Sequence, residues 1–431
     1  MDARTTALTA LIACRRQNAW PDAVLKDYIR RDGLDRRDAA LTTRLCYGVQ
    51  QNRLLLDYFL SQFVRTPLKK LQPVVLDILR LALYQILFLD RVPDSAVVNE
   101  AVNMARKQAG QKAAGLVNGV LRNMLRSRDS LVMPEDLSIR YSHPPELVAL
   151  LRENVGEENL ESLLQADNEA PQTVIQLNSL RASAQQLTQS LTAAGAVCRP
   201  RPEVPGCYTL TGAGSLEALD AWTQGWFYVQ DAAARMAVQA MELQPGMRVL
   251  DTCAAPGGKS FAAAIAMQNC GEILSCDLHP HKIRLIESGR DRLGLSCIHT
   301  LVRDASKADP APAADFDAVL VDVPCSGLGV IRKKPDIRYK NLQEMEKLPA
   351  LQLQILSTSA ACVRPGGRLL YATCTVLQRE NELVVAQFLQ KNPDFYEERL
   401  PLPAENSGHL TLLPGRDGTD GFFICRLRRR A

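Results

Sequence analysis

After Ala232 the chain repeats one pattern: a short apolar run ending in aspartate or cysteine, followed by a segment with helical spacing. The runs MRVLDTC, EILSCDL, CIHTLVRD, FDAVLVDVPC and GRLLYATC begin at Met247, Glu272, Cys297, Phe316 and Gly367. Runs this short and this continuously apolar suit strands buried on both faces, and strands alternating with helices build a parallel sheet. The expected fold class is therefore α/β, with a doubly wound, Rossmann-like sheet over residues 232–431. Ligands of such sheets bind beyond the carboxyl ends of the strands. Each run here places a polar or thiol residue at that end, so the chemistry is expected along one edge.

The earlier part of the chain reads differently. Up to Arg128 apolar residues recur at spacings of three and four, as in Ala113, Val117, Val120, Leu121 and Met124, with breaks near Pro67, Pro73 and Pro93. Val74 to Leu89 is apolar on nearly every side apart from Asp77, Arg80 and Gln85, as expected of a helix at the centre of a bundle. An all-helical domain is expected over residues 1–128. The proline-bearing stretch VMPEDLSIRYSHPPEL makes residues 129–145 a linker, because residues before proline avoid the helical region. Residues 146–231 read as a small mixed α/β subdomain. It has a helix from Leu147 to Ala166, a strand from Thr173 to Asn178, a helix from Ala184 to Ala194, and short strands around Tyr208 and Trp226.

Charge separates these parts. Residues 1–127 hold 20 Lys and Arg against 11 Asp and Glu, while the rest of the chain holds 31 against 36. A basic module joined to a mildly acidic one suggests docking on a polyanion, with ordinary solvated helix faces as the plainer alternative. Hydrophobic residues make up 46% and charged residues 23%, an average globular composition that excludes disordered and fibrous classes. The most apolar stretch, LALYQILFL, is under half the roughly 20 residues a bilayer-spanning helix needs. The start of the chain lacks the order of a signal peptide. A cytoplasmic protein without membrane contact is expected, and a monomer. The 12 cysteines include no CxxC pair and there are only 5 histidines, so no metal is expected and the thiols should be free.

The tips of the runs carry the functional signal. DTCAAPGGKS (Asp251 to Ser260) approaches a P-loop, but GxxxxGK[ST] needs glycine where Cys253 stands. Pro256, Gly257 and Gly258 instead form a tight turn that lets backbone approach a ligand before a helix starting near Lys259. Asp277 ends the next run, where nucleoside-binding folds place a carboxylate on ribose hydroxyls. With Asp304 and Asp322, and with Asp251, four successive tips carry aspartate. That favours an adenosine cofactor bearing positive charge, such as S-adenosyl-L-methionine, over a phosphate-rich one; helix capping accounts for one or two of the four. Two cysteines, Cys325 and Cys374, stand on expected neighbouring tips, where modest electrostatic activation makes a thiol a nucleophile. Cys14, Cys46, Cys198, Cys270, Cys297, Cys362 and Cys425 are read as small buried hydrophobes.

In this order, DTCAAPGGKS, CDLH, RDAS, DVPCSGLG and YATCTV resemble the RNA cytosine carbon-5 methyltransferases of the NOL1/NOP2/Sun family. The basic helical start with GLVNGVLRNMLR, and GTDGFF near the end, are similar to its bacterial Fmu/Sun (RsmB) branch, whose substrate is small-subunit ribosomal RNA. The resemblance covers essentially the whole chain. It implies a NusB-like RNA-binding fold for the helical domain. It also implies that Cys253, Ala254, Ala255, Pro256, Gly257, Gly258 and Lys259 hold the methionine and ribose parts of S-adenosyl-L-methionine. Asp277 would take the ribose hydroxyls and Asp304 the adenine side. Asp322 would lie beside the methyl group and hydrogen-bond the cytosine ring. Cys374 is implied as the nucleophile and Cys325 as the residue that assists product release. The rivals are a cytosine methyltransferase acting on another RNA or on DNA, and a non-catalytic RNA-binding assembly factor. The paired cysteines and the basic helical domain weigh against DNA, and the intact aspartates against a non-catalytic role.

Overall fold

The computed structural model describes residues 2–17, 21–90, 92–308, 315–402 and 407–431. The chain divides into two units, Met1–Arg152 with Ile331–Lys340, and Glu153–Val330 with Asn341–Ala431.

The first unit is helical. Its centre is the helix Pro73–Phe88, which starts with proline at the position where a missing N–H costs nothing. Ile78, Leu79, Leu81 and Leu83 on this helix are fully buried. The polar residues inside it are matched: Asp77 Oδ2 accepts from Arg15 Nε at 3.1 Å, and Gln85 Oε1 from Arg4 Nε at 2.7 Å. Gly48 lies so close to the Tyr84 ring that a Cβ there would stand 1.9 Å from Cζ, so only glycine lets these helices meet. The helix Asp94–Arg126 is interrupted at Gly110, whose φ of 85° lies in the left-handed region. Residues expected as linker include the short helix Leu137–Arg140, capped by Asp136. The segment Ile331–Lys340 belongs to this unit: the buried Arg338 guanidinium donates to Gln51 O at 2.9 Å and Ser142 O at 3.2 Å.

In the second unit a small antiparallel sheet contains β1 (Thr173–Leu177), β2 (Val197–Pro200), β3 (Cys207–Thr211) and β4 (Phe227–Val229), in the order β2-β3-β1-β4. The helix expected from Leu147 to Ala166 is two, Pro145–Val155, most of which belongs to the first unit, and Glu157–Ala166, because Gly156 at φ 79° breaks the helical run. Ser183 and Gln186 form a reciprocal cap that fixes the start of the helix Ala184–Ala193.

The large sheet holds β5 (Arg248–Asp251), β6 (Glu272–Asp277), β7 (Ile298–Val302), β8 (Phe316–Asp322) and β9 (Val363–Thr373), one for each apolar run. These pair in parallel in the order β7-β6-β5-β8-β9. Beyond the expectation, the sheet continues antiparallel through β12 (Phe422–Arg429), which pairs with β9, β10 (Phe395–Glu397) and β11 (His409–Leu412). Helices Gly258–Ala266, Pro280–Leu293 and Leu348–Ala360 connect successive parallel strands. From β5 the chain first moves outward to β6 and β7, then returns to the opposite side of β5 for β8 and β9. The crossover point between β5 and β8 is where such sheets open a crevice for ligands. Among the described residues no helix is long and apolar enough to cross a membrane.

Candidate active site

Asp251, at the end of β5, is fully buried rather than facing a ligand directly. Ser260 Oγ donates to its Oδ2 at 2.7 Å and Ser275 Oγ donates to Ser260 Oγ at 2.7 Å, while Oδ1 has no hydrogen-bond partner among the described residues. Burial pushes the carboxyl up to about 7. This chain joins the end of β5 to the first turn of the helix Gly258–Ala266 and to β6, and it shapes the floor of the crevice.

Above it the loop Cys253–Lys259 turns sharply. Ala254 N–H donates to Cys276 O at 2.8 Å and Gly257 N–H to Ala254 O at 2.7 Å. Gly257 has φ 110°, and a Cβ there would stand 2.4 Å from the Phe261 ring. A Cβ on Gly258 would come 3.2 Å from Gln230 Nε2. Backbone is thus brought where side chains would intrude, as a ligand cradle requires.

The four aspartates do different things. Asp277 is buried to 7% exposure, and its Oδ1 accepts from His279 N–H at 3.2 Å; Oδ2 takes no hydrogen bond from the described residues. Asp304 accepts from Ser306 Oγ at 2.6 Å and Ser306 N–H at 3.0 Å, and these bonds hold its carboxyl below the ordinary value. Asp322, at the end of β8, accepts from Lys259 Nζ at 2.6 Å. The sequence grouped Lys259 with the cofactor loop; its ammonium pairs with Asp322, and the Cys374 sulfur lies within its electrostatic reach. A nucleoside carrying positive charge fits this set: Asp277 keeps Oδ2 without a hydrogen bond from the described residues while Lys282 Nζ lies 3.8 Å from its Oδ1, the loop offers close backbone, and aspartates stand at the strand tips. A polyphosphate would meet repulsion.

The two cysteines come together. Cys325 lies in the turn after β8 and Cys374 directly after β9, with their sulfurs 3.0 Å apart and no disulfide between them. Hydrogen bonding to Cys374 and burial together raise the Cys325 thiol well above its usual range, with Glu380 and Asp322 adding like charge. The loops around them are closely interlocked: Gly329 N–H donates to Cys374 O at 3.0 Å and Gly421 N–H to Gly329 O at 2.8 Å. A Cβ on Gly329 would stand 2.1 Å from Gly421 O, which ties the GLG and GTDGFF segments together.

Sequence reading missed Ser260, Ser275, Glu380 and Asn381, which hold the loops from behind. Their only signal is polarity where the pattern asks for apolar residues, and a polar residue before a helix reads first as a cap. Of the cysteines read as buried hydrophobes, Cys14, Cys46, Cys297, Cys362 and Cys425 are buried and Cys198 is half-buried. Cys270 is a correction: it is exposed, because it lies in the turn before β6 where Gln268 and Asn269 have positive φ.

Comparison with known proteins agrees along the whole chain. Residues 238–428 match the 16S rRNA methyltransferase RsmB/F family, residues 1–126 the NusB family, and residues 143–217 the ferredoxin-like domain of RsmF/B-like methyltransferases. A probable ribosomal RNA small subunit methyltransferase B of Bacillus subtilis is 37% identical, covering 99% of this chain and 98% of its own. The ribosomal RNA small subunit methyltransferase B of Salmonella arizonae is 32% identical over 91% of each chain. Among solved structures, PH0851 aligns with a TM-score of 0.80 at 24% identity, covering 98% of both chains. A methyltransferase homolog from Pyrococcus horikoshii aligns at 0.60 and 25% identity over 68% of this chain and 98% of its own. The helical part is thus NusB-like, the small sheet belongs to a ferredoxin-like subdomain, and the chain as a whole is a member of the ribosomal RNA small subunit methyltransferase B family.

Proposed function

We propose that this methyltransferase modifies carbon 5 of a cytosine in small-subunit ribosomal RNA, through a covalent bond between Cys374 and the base. The observation that carries this reading is the pair of cysteine sulfurs 3.0 Å apart on adjacent strand tips, next to Asp322 and Lys259. Carbon 5 of cytosine is too electron-poor to attack a methyl group unaided. A thiolate adding at carbon 6 turns the ring into an enamine-like nucleophile.

We assign the nucleophile's role to Cys374, which lies within the field of the Lys259 ammonium. Cys325 has its acidity suppressed by its neighbours. S-Adenosyl-L-methionine, when bound, supplies a methyl group on a positively charged sulfur. The chain's own residues divide the remaining work. The loop Cys253 to Gly258 backs the methionine and ribose portions, Asp277 receives the ribose hydroxyls, and Asp304 lies on the adenine side. Asp322, held by Lys259, hydrogen-bonds the cytosine ring and stabilises the added state. After methylation the proton on carbon 5 leaves to a base, a water oriented by Cys325, and the bond from Cys374 to carbon 6 then breaks. Such a positioned base typically contributes ~10²- to 10⁴-fold in rate.

The target must be splayed from its stack to reach the crevice, so a loop or helix-end cytosine fits. The domain division that suits this chemistry is a NusB-like RNA-binding module over residues 1–128, a linker over 129–145, a small subdomain over 146–231 and the catalytic domain over 232–431. Labelled methyl transfer to small-subunit ribosomal RNA, followed by bisulfite mapping, tests the reading. One protected cytosine is expected; label recovered on another base or atom would contradict it.

A further inference from the structure

Glu380 lies in the turn after Cys374, is fully buried, and has no part in the steps above. Its Oε2 accepts hydrogen bonds from Ser326 N–H at 2.9 Å and from Gln352 Nε2 at 2.8 Å. The same Gln352 amide donates to Pro324 O at 3.0 Å. The residues on both sides of Cys325 are therefore fastened to one carboxylate-centred cluster. Next to it, Asn381 does the same for Cys374: Thr373 Oγ1 donates to Asn381 Oδ1 at 2.6 Å, and Asn381 Nδ2 donates to Thr375 O at 3.1 Å. Ser326 Oγ lies 2.7 Å from Thr375 Oγ1, and Tyr371 OH donates to Glu380 O at 2.6 Å, which join the two halves.

A buried carboxylate is an expensive way to fill space. Glu380 Oε1 has no hydrogen-bond partner among the described residues, so the contribution of the carboxyl group lies in the two bonds to Oε2. What an apolar residue could not do is hold Ser326 N–H and Gln352 at once. We propose that Glu380 is the positioning residue of the cysteine pair, clamping the Cys325 turn against the loop that follows Cys374 so that the two sulfurs stay face to face. The catalytic meaning of the clamp rests on the reading under Proposed function; the clamp itself does not.

Two variants separate the hydrogen bonds from the bulk and the charge. Glu380→Gln keeps an acceptor oxygen without the charge, and Glu380→Met keeps only the bulk. In labelled methyl transfer at saturating cofactor, the methionine variant should lose about a hundredfold in kcat with KM for RNA within about twofold, since misplacement of ~1 Å costs that much. The glutamine variant should stay within about fivefold of the parent. Independently, dibromobimane bridging of Cys325 to Cys374 is read by peptide mass mapping on the full chain, without RNA or cofactor. It should be at least about tenfold slower in the methionine variant than in the parent or the glutamine variant. Equal bridging in all three proteins, or a glutamine variant as impaired as the methionine one, overturns the proposal. If the methionine variant does not fold, Gln352→Leu is read the same way, with bridging expected to slow about threefold or more and unchanged bridging overturning the clamp. Bridging does not depend on methyl transfer, so a failed reaction scheme and a failed clamp give different patterns.

Discussion

The sulfur of Cys325 faces the sulfur of Cys374 at 3.0 Å across the tips of β8 and β9, where Asp322, the last residue of β8, is paired in register with Ala372, the residue before the end of β9. The sheet creates this pairing: two parallel neighbours end at the same height, and each strand delivers one thiol just past its end. Two thiols this close do not ionise independently, and the surroundings of Cys325 disfavour its thiolate.

Asp277→Ala should weaken S-adenosyl-L-methionine binding by at least about tenfold, the cost of losing one charge-assisted hydrogen bond. RNA affinity should stay within experimental error, because the carboxylate is at the end of β6 and not in the helical domain. Calorimetric titration of cofactor and filter binding of RNA measure the two; equal losses of both would refute the assignment.

Asp251→Asn should change how stability depends on pH. Burial raises this carboxyl from 3.8 to about 7 in the folded protein. Between those values the folded state holds a proton that the unfolded chain has released. Stability therefore falls as pH rises through this window, by at most about 4 kcal/mol. The asparagine variant keeps an acceptor for Ser260 and should lack that slope. Thermal melts from pH 4 to pH 8 compare the two proteins, and parallel curves would show that Asp251 does not titrate as described.

Gly257→Ala forces a side chain into a left-handed backbone with the Phe261 ring 2.4 Å from its Cβ. A loss of about 1–3 kcal/mol in stability is expected, with weaker cofactor binding, since the loop must shift. A variant with unchanged melting temperature and affinity would mean that the turn tolerates the shift.

The five apolar runs were legible because continuous hydrophobicity is a local property, and all five are strands of one sheet. The break at Gly156 was not, because helical spacing on either side continues through it and only the backbone angle reveals the turn. β12 was hidden for another reason: FFICRLRR ends in arginines, and its pairing with β9 is made at long range. Within the site, Cys325, Cys374 and the aspartates stood out because reactive residues at strand ends are unusual. The bond from Lys259 to Asp322 and the cluster around Glu380 depend on which loops meet, and no spacing in the sequence encodes that.

Charge reversal of Arg106, Lys107, Lys112 and Arg122, exposed on the helix Asp94–Arg126, should weaken RNA binding and flatten its salt dependence. Each lost phosphate contact removes about one from the slope of log affinity against log salt. An unchanged slope would mark this face as solvated surface and move the RNA contact elsewhere.

The covalent scheme is tested most directly by denaturing electrophoresis of each cysteine variant with labelled RNA and S-adenosyl-L-methionine. Cys325→Ala still permits attack and methylation but slows proton removal and elimination, so an RNA-linked protein band should accumulate and require cofactor. Cys374→Ala lacks the attacking thiolate and should give neither the band nor methyl transfer. A band in Cys374→Ala with none in Cys325→Ala would reverse the assigned roles, and a band in neither would contradict the covalent route.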